Sequence, residues 1–386
     1  MKIVFICYNY LTLYKAVYNA HHFFRDHESM IIYRTAVTNL NVRSISEIPV
    51  TVIPVEGMPS NGIISRCMLE IKWGIMIRRT IRVLKKEIDE NPSLKLVVFK
   101  DNEPAESSFI EYFKKHTSQK GEVYLIEEGN SIYWTMDKNT SKPRKFIWRI
   151  YQKYFGLSKF FLDDYPQGYN PLVDKIICSD CIKIVQLKGL NQTRVIEQKG
   201  IYNVLDSQKF MHDVLGKDMS GLIHYQTFKA VHLTLPTTDM EGLNDLEWQI
   251  LEIIDSNLDG SLLIKKHPRD TRDQFFRESN KMTIAKDEIC EIPAECLYGL
   301  MNNPIIFTYY SSAYSNILVD NPEARIVLLY KLMNDDLINN YMDSIIDYEM
   351  DRYPNIYRPN NLDELNKVIL RLMEEEKNEK GADNWC

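Results

Sequence analysis

Leu262–Asp270 reads LLIKKHPRD, a short apolar run that ends abruptly in charge. Leu262, Leu263 and Ile264 suit a strand buried on both faces, and two lysines, a histidine, a proline and an arginine follow at once. Pro268 has no N–H for a strand ladder and biases His267 towards an extended backbone, so the strand must stop there. In an open α/β sheet, ligands bind just beyond the carboxyl ends of strands. A histidine at such a tip, among cations, is a candidate site. An HP pair by itself is also an ordinary turn, so its weight depends on the other strand ends.

Strand and helix signals alternate along the rest of the chain. Ile3–Tyr8 is a near-continuous apolar run, the pattern of a parallel strand covered on both faces. Tyr14–Phe24 has helical spacing, and Met30–Tyr33 and Val50–Val55 are strand candidates. Ile64–Lys86 reads as a long amphipathic helix whose late cations complement its dipole. Leu94–Phe99 is a strand running into Asp101-Asn102-Glu103-Pro104 and a helix over Ala105–His116. Glu122–Ile126 is the next strand and ends in Glu127-Glu128-Gly129; Val173–Cys178 is another. Residues 180 to 228 hold no strong periodic signal, and the inter-domain region is expected there.

A second unit starts at Ala230–Leu235, with a helix over Leu243–Asp255 and a strand over Ser261–Lys265. Thr283–Ala285 is a weak strand and Pro293–Asn302 a helix. Pro304–Thr308 is a strand ending in Tyr309-Tyr310-Ser311-Ser312, with a helix from Ala313. Arg325–Tyr330 is a strand, and Leu362–Glu376 closes the chain as a helix with Asn361 and Glu364 in capping-box spacing. This alternation describes doubly wound α/β domains, one over 1–200 and one over 201–386.

The 386 residues suffice for two such cores. Apolar residues make up 45% and charged residues 26%, as in a globular protein, and the net charge of −6 argues against nucleic acid as the main partner. Seven dispersed cysteines suit a reducing cytoplasm better than a disulfide framework. Cys178-Ser-Asp-Cys181 is the single CxxC; with no second pair or neighbouring histidine it reads as a strand-end coincidence, not a zinc or redox site. MKIVFICYNY enters a strand directly and lacks a signal-peptide pattern. No run approaches the roughly 20 apolar residues of a membrane span, so a cytoplasmic chain is expected. Lys142–Phe161 mixes basic and aromatic residues. It suits an amphipathic helix packed on the sheet, or peripheral contact with the inner membrane or an acidic glycan.

Three strand ends carry polar groups of different kinds: Glu127-Glu128-Gly129, His267-Pro268 and Ser311-Ser312. Paired serines before a helix combine two hydroxyls with free backbone N–H groups and a positive dipole end, an anion site. A histidine beside Lys265, Lys266 and Arg269 can donate to a phosphate oxygen or pass it a proton. An acid from the other domain could accept a proton from an attacking hydroxyl, with Gly129 allowing a sharp turn beneath it. Each group alone has a bland reading, an N-cap for the serines and a solvated turn for the glutamates.

Together, and in this order, the three motifs resemble the (D/E)-(D/E)-G, HP and S-(S/T) motifs of bacterial sialyltransferases and polysialyltransferases. The resemblance runs from about residue 120 to 320 and implies a GT-B fold of two Rossmann-like domains facing across a cleft. It further implies CMP-sialic acid as donor, an oligosaccharide acceptor, and neither metal nor cofactor. By the same likeness the N-terminal domain is the acceptor side, with Glu127 as general base and Glu128 in reserve. The C-terminal domain would bind CMP through His267 and Pro268, with Ser311 and Ser312 on phosphate oxygens and Glu295 on the ribose. The expected reaction is inverting transfer of sialic acid to a terminal sugar, galactose in a lipooligosaccharide or capsule. Extension of a polysialic acid chain stays open, as does a homodimer.

Two rival enzymes fit parts of the pattern. Asp101-Asn102-Glu103 could be a DxD-like metal site of a GT-A transferase, although the same acids suit a cap and first-turn charges for the following helix. A CDP-glycerol-type phosphotransferase also shows an HP histidine and a serine pair after tyrosine. A non-enzymatic glycan-binding protein would fit two domains but gives no reason for three polar strand ends.

Overall fold

β1 (Lys2–Cys7) is buried from Ile3 to Cys7, which is why its sequence shows no alternation. The computed structural model describes residues 1–35, 44–54, 63–117, 121–133, 166–215 and 224–383. It divides the chain into two units, Met1–Ile201 and Tyr202–Cys386. The first sheet adds β2 (Glu28–Thr35), β3 (Ser44–Ile45), β4 (Ile48–Pro54), β5 (Lys95–Val98), β6 (Val123–Ile126), β7 (Lys175–Cys178) and β8 (Val195–Glu197). Their order is β3-β4-β2-β1-β5-β6-β7-β8, parallel throughout except for the β3–β4 edge. Around it lie α1 (Tyr10–His21), α2 (Ile63–Glu90), α3 (Pro104–His116) and α4 (Cys181–Lys188). α1 starts at Tyr10 and not at Tyr14 because Asn9 and Thr12 form a capping box, with Thr12 N–H on Asn9 Oδ1 at 2.8 Å and Asn9 N–H on Thr12 Oγ1 at 3.1 Å.

The second unit opens with α5 (Val204–Leu215) and builds an all-parallel sheet. Its strands are β9 (Ala230–Leu233), β10 (Leu262–Lys265), β11 (Met282–Ile284), β12 (Ile305–Thr308), β13 (Ile326–Leu328) and β14 (Ile356–Tyr357), ordered β11-β10-β9-β12-β13-β14. The helices are α6 (Asn244–Asn257), α7 (Asp287–Cys290), α8 (Ala294–Tyr298), α9 (Ala313–Asp320), α10 (Asp336–Met350) and α11 (Leu362–Asp383). One core cluster joins Leu365, Ile369 and Leu372 of α11 to Ile250, Leu251 and Ile254 of α6. At the start of α11 Asn361 Oδ1 accepts the Glu364 N–H at 2.9 Å, while Glu364 reaches back to the N–H of Asn360, one residue beyond the expected partner. β10 and β12 flank β9 on opposite sides, so the strand order reverses at β9. A topological switch point of this kind leaves a crevice at the carboxyl ends.

Several expected bounds differ. Residues 180 to 228, without periodic signal, include α4, β8 and α5, two of them too short to display a period. α10 escaped notice because its apolar stripe is narrow: Met342, Ile345 and Ile346 are buried while Leu337 is 82% exposed. The helix expected over Pro293–Asn302 is confined to α8. Lys142–Phe161 lies outside the described residues. Among those described, no helix is long and apolar enough to cross a membrane.

Candidate functional site

In the first unit the two glutamates after β6 part ways. Glu127 is 2% exposed, and its Oε2 accepts from Ser179 N–H at 2.6 Å, Ser179 Oγ at 2.8 Å and the Tyr133 hydroxyl at 2.9 Å. Its backbone carbonyl takes the buried Lys15 Nζ at 2.7 Å. Burial first, and the Glu127 charge second, push the Tyr133 phenol well above its ordinary value, so Tyr133 stays a donor. Three donors on one oxygen tie the end of β6 to the end of β7.

Glu128 keeps 15% of its side chain exposed and lies 3.5 Å from Lys100 Nζ. Asn9 Nδ2 donates to its Oε1 at 2.8 Å, and the Tyr8 hydroxyl donates to its Oε2. Tyr8 and Asn9 follow β1 and Lys100 follows β5, so three strand ends meet at this carboxylate. An ionised carboxylate offers about four lone-pair sites, which leaves room for a further donor such as a substrate hydroxyl. Burial, then the charge of Glu128, raise the Tyr8 phenol well above its ordinary value. Burial alone would lower Lys100, but the charges of Glu128, Glu103 and Glu106 outweigh it and hold the ammonium above its ordinary value. Beside them Arg34, on β2, pairs with Glu106 of α3 and lies 5.7 Å from the Tyr8 ring centre. Glu127 is thus tied into the fold through Oε2, while Glu128 keeps a partly exposed carboxylate among three strand ends.

Asp101 serves a loop. Its carboxylate is buried and accepts the N–H groups of Gly168 at 2.9 Å and Asn170 at 3.1 Å; Gly168, at φ +94°, takes a conformation that favours glycine. Burial pushes Asp101 up to about 6 despite those donors. Glu103 holds the N-cap position of α3 without a side-chain cap bond. Among the described residues no group of three or more His, Cys, Asp or Glu could hold a metal ion.

In the second unit β10 ends at Lys265, and His267 stands in the turn beyond it. Arg269 N–H donates to His267 Nδ1 at 3.0 Å, so Nδ1 is the acceptor nitrogen and Nε2 carries the proton of the neutral ring. Burial, then Arg269 and Lys265, lower His267 to about 4. A neutral ring is thus a hydrogen-bond donor at Nε2, and not a proton store, until an anion arrives. The turn rests on a buried polar chain. Thr234 Oγ1 accepts from His267 N–H at 3.0 Å and donates to Asp270 Oδ2 at 2.7 Å. Arg272 grips Asp270 through Nε and Nη2 at 2.8 and 2.7 Å and reaches Glu247 with Nη1 at 2.5 Å. Glu247 in turn meets His232 Nε2 at 3.1 Å in the middle of β9. Of the expected cations, only Arg269 stays exposed: Lys265 Nζ is buried on the Cys290 carbonyl at 2.9 Å, and Lys266 pairs with Asp273 at 2.5 Å.

Across β9, the chain leaves β12 through Tyr309 and Tyr310 into Ser311 and Ser312. Ser312 holds the N-cap position of α9 with no side-chain cap bond. Ser311 Oγ instead accepts Ala313 N–H at 3.3 Å. The N-cap reading therefore fits Ser311 in part and leaves the half-buried Ser312 hydroxyl uncommitted among the described residues. Tyr310 donates to Asp239, after β9, at 3.0 Å. His267 and the serines thus flank the switch point from β10 and β12. Glu295 sits deeper, 3% exposed on α8, and takes Asn316 Nδ2 of α9 at 2.7 Å.

No family model matches the chain, and no curated protein sequence matches it. Solved structures resemble it at low identity. A putative UDP-N-acetylglucosamine 2-epimerase from Listeria monocytogenes is 11% identical with a TM-score of 0.56, covering 97% of this chain and 88% of its own. The UDP-GlcNAc 2-epimerase of Methanocaldococcus jannaschii, in complex with UDP-GlcNAc and UDP, is 13% identical with a TM-score of 0.53, covering 96% and 92%. A sialyltransferase from Photobacterium damsela is 11% identical with a TM-score of 0.50, covering 92% and 81%. The fold is of the GT-B type.

Sequence reasoning missed the supporting residues. Tyr8, Asn9 and Lys100 stand directly after strands, where the strand-end rule applied to every strand would have found them. Glu247, Arg272 and Thr234 lie on three different segments, and no local pattern joins them.

Proposed function

We propose that the protein is an inverting sialyltransferase, independent of metal, that moves sialic acid from CMP-sialic acid to a terminal sugar hydroxyl, galactose in a bacterial lipooligosaccharide or capsular glycan. The observation that carries the reading is a pair of donors uncommitted among the described residues at the switch point of the second unit, His267 Nε2–H and the Ser312 hydroxyl. Donors at the ends of β10 and β12, with the start of α9 beside them, suit the phosphate of a nucleotide. The Glu-Glu-Gly, HP and Ser-Ser motifs support the sialyl donor specifically, and a GT-B sialyltransferase is among the similar folds.

In this reading Glu128 is the general base and Glu127 positions it. The acceptor hydroxyl hydrogen-bonds to the Glu128 carboxylate, loses its proton to it, and attacks the anomeric carbon from the face opposite CMP. As the bond to the phosphate oxygen breaks, negative charge grows on CMP. His267, Ser311 and Ser312 stabilise that charge, a preorganised effect worth roughly 10²–10³ in rate per key donor. Glu295, whose Oε1 takes Asn316 Nδ2, holds the ribose hydroxyls through its remaining acceptor sites.

The donor is tested by thermal unfolding with CMP, CMP-sialic acid, UDP and CDP-glycerol. A ligand that binds only the native state stabilises it by about 2.7 kcal/mol at a hundredfold excess over Kd. CMP and CMP-sialic acid should raise the melting temperature. Stabilisation by UDP or CDP-glycerol, without any by CMP or CMP-sialic acid, overturns the assignment.

A further inference from the structure

The CxxC read as a coincidence joins strand to helix. Cys178 is the last residue of β7 and is buried; Cys181 is the first residue of α4 and is half-buried. Their sulfurs lie 3.9 Å apart, with the Cys178 thiol directed at Cys181 Sγ. We propose that Cys178 and Cys181 form a reversible disulfide by exchange with a small-molecule disulfide, Cys181 attacking and Cys178 resolving.

Asp180 caps α4 by accepting Lys183 N–H at 2.8 Å, which leaves Cys181 at the positive end of an eight-residue helix, where thiolates are favoured. The hydrogen bond from Cys178 also lowers the Cys181 thiol from its ordinary value, while the Cys178 thiol, bonded to Cys181 and desolvated, is raised. The more reactive sulfur is therefore the more accessible one. A zinc site is not the alternative, since among the described residues no third or fourth ligand joins the pair. The chemistry balances as exchange. The Cys181 thiolate attacks one sulfur of a disulfide RSSR and expels RS⁻. The Cys178 sulfur, losing its proton, then attacks Cys181 Sγ and expels the second RS⁻. Two protein thiols are oxidised to one disulfide, RSSR is reduced to two RSH, and the two thiol protons end on the released thiols.

The ring closes around Ser179, whose N–H and hydroxyl both hold Glu127. A disulfide needs about 2.05 Å between sulfurs, so closure draws the pair together by roughly 2 Å and shifts the link between β7 and β6.

The test incubates the folded protein with oxidised glutathione, blocks free thiols and digests with trypsin, which releases both cysteines in one peptide, Ile176–Lys183. The peptide should be two hydrogens lighter and return to its reduced mass with dithiothreitol. Cys178→Ser should trap one glutathione on Cys181, while Cys181→Ser leaves Cys178 unmodified or at least about tenfold slower. The wild-type result needs no variant to fold. A peptide that stays reduced in excess oxidised glutathione overturns the proposal, as does equal glutathionylation of the two single variants. Hydrogen exchange of the Ser179 amide should quicken on oxidation; unchanged exchange overturns the coupling to Glu127.

Discussion

Exchanging each glutamate for glutamine should separate stability from turnover. Glu127 accepts three hydrogen bonds on one buried oxygen. Bonds to a charged group contribute about 1.5–3 kcal/mol against about 0.5–1.5 for neutral ones, so Glu127→Gln loses about 1 kcal/mol per bond. Relief from burying a charge offsets part of this, leaving a net loss of about 1–3 kcal/mol. For a unit of this size each kcal/mol lowers the melting temperature by roughly 2–4 °C, so a fall of about 2–12 °C is expected. Turnover should survive at temperatures where the variant is folded. Glu128→Gln should change stability by less than about 1 kcal/mol, because the amide oxygen can keep the Asn9 bond and the Tyr8 hydroxyl can turn to accept from the amide NH2, yet lower turnover by roughly 10²–10⁴, the usual worth of a general base. CMP binding should be unchanged in both. The assay is thermal unfolding beside initial rates of sialyl transfer. A dead Glu127→Gln of unaltered melting temperature, beside an active Glu128→Gln, refutes the assignment of roles.

Further outcomes follow from the second unit. Ser311→Ala with Ser312→Ala should weaken CMP binding by about 1–3 kcal/mol, the range for hydrogen bonds to a charged group; unchanged affinity by calorimetry removes the serines from the site. Arg272→Met strands the buried Asp270 and Glu247 carboxylates and should cost about 3–5 kcal/mol in denaturant unfolding; a neutral change would show that the chain of bonds does not support the turn. His267 lies below its ordinary value of 6.5, at about 4, so the native state binds fewer protons in that window. Its stabilising contribution is present above pH 6.5 and is lost as pH falls through 4, and His267→Gln should flatten that slope by at most about 2 kcal/mol after solvent screening. Asp101, raised from 3.8 to about 6, acts with the opposite sign and cancels in the comparison with wild type. Transfer should persist in EDTA; loss restored by magnesium or manganese would revive a metal-dependent mechanism.

The strands were legible because burial on both faces writes itself as an unbroken apolar run: β1, β5, β10 and β12 all stand where Ile3–Tyr8, Leu94–Phe99, Ser261–Lys265 and Pro304–Thr308 indicate. Short elements such as β8 and β14 fix too few residues to show a period. The three strand-end motifs were readable as positions, but their inner geometry was not. Nothing local distinguishes Glu127 from Glu128; the difference comes from Ser179 just after β7 and from Tyr8 and Asn9 after β1, more than a hundred residues away in the latter case. The lysines before His267 illustrate the same limit. Their charge suggests a cationic site, whereas Lys265 is buried with its strand and donates to the Cys290 carbonyl.

Product formation tests the central claim most directly. The protein is incubated with CMP-sialic acid and a panel of labelled galactosides, and products are identified by mass. One galactoside should gain a single sialic acid residue with release of one CMP. CMP-sialic acid left intact with every galactoside, while UDP-GlcNAc or CDP-glycerol is consumed, would contradict it.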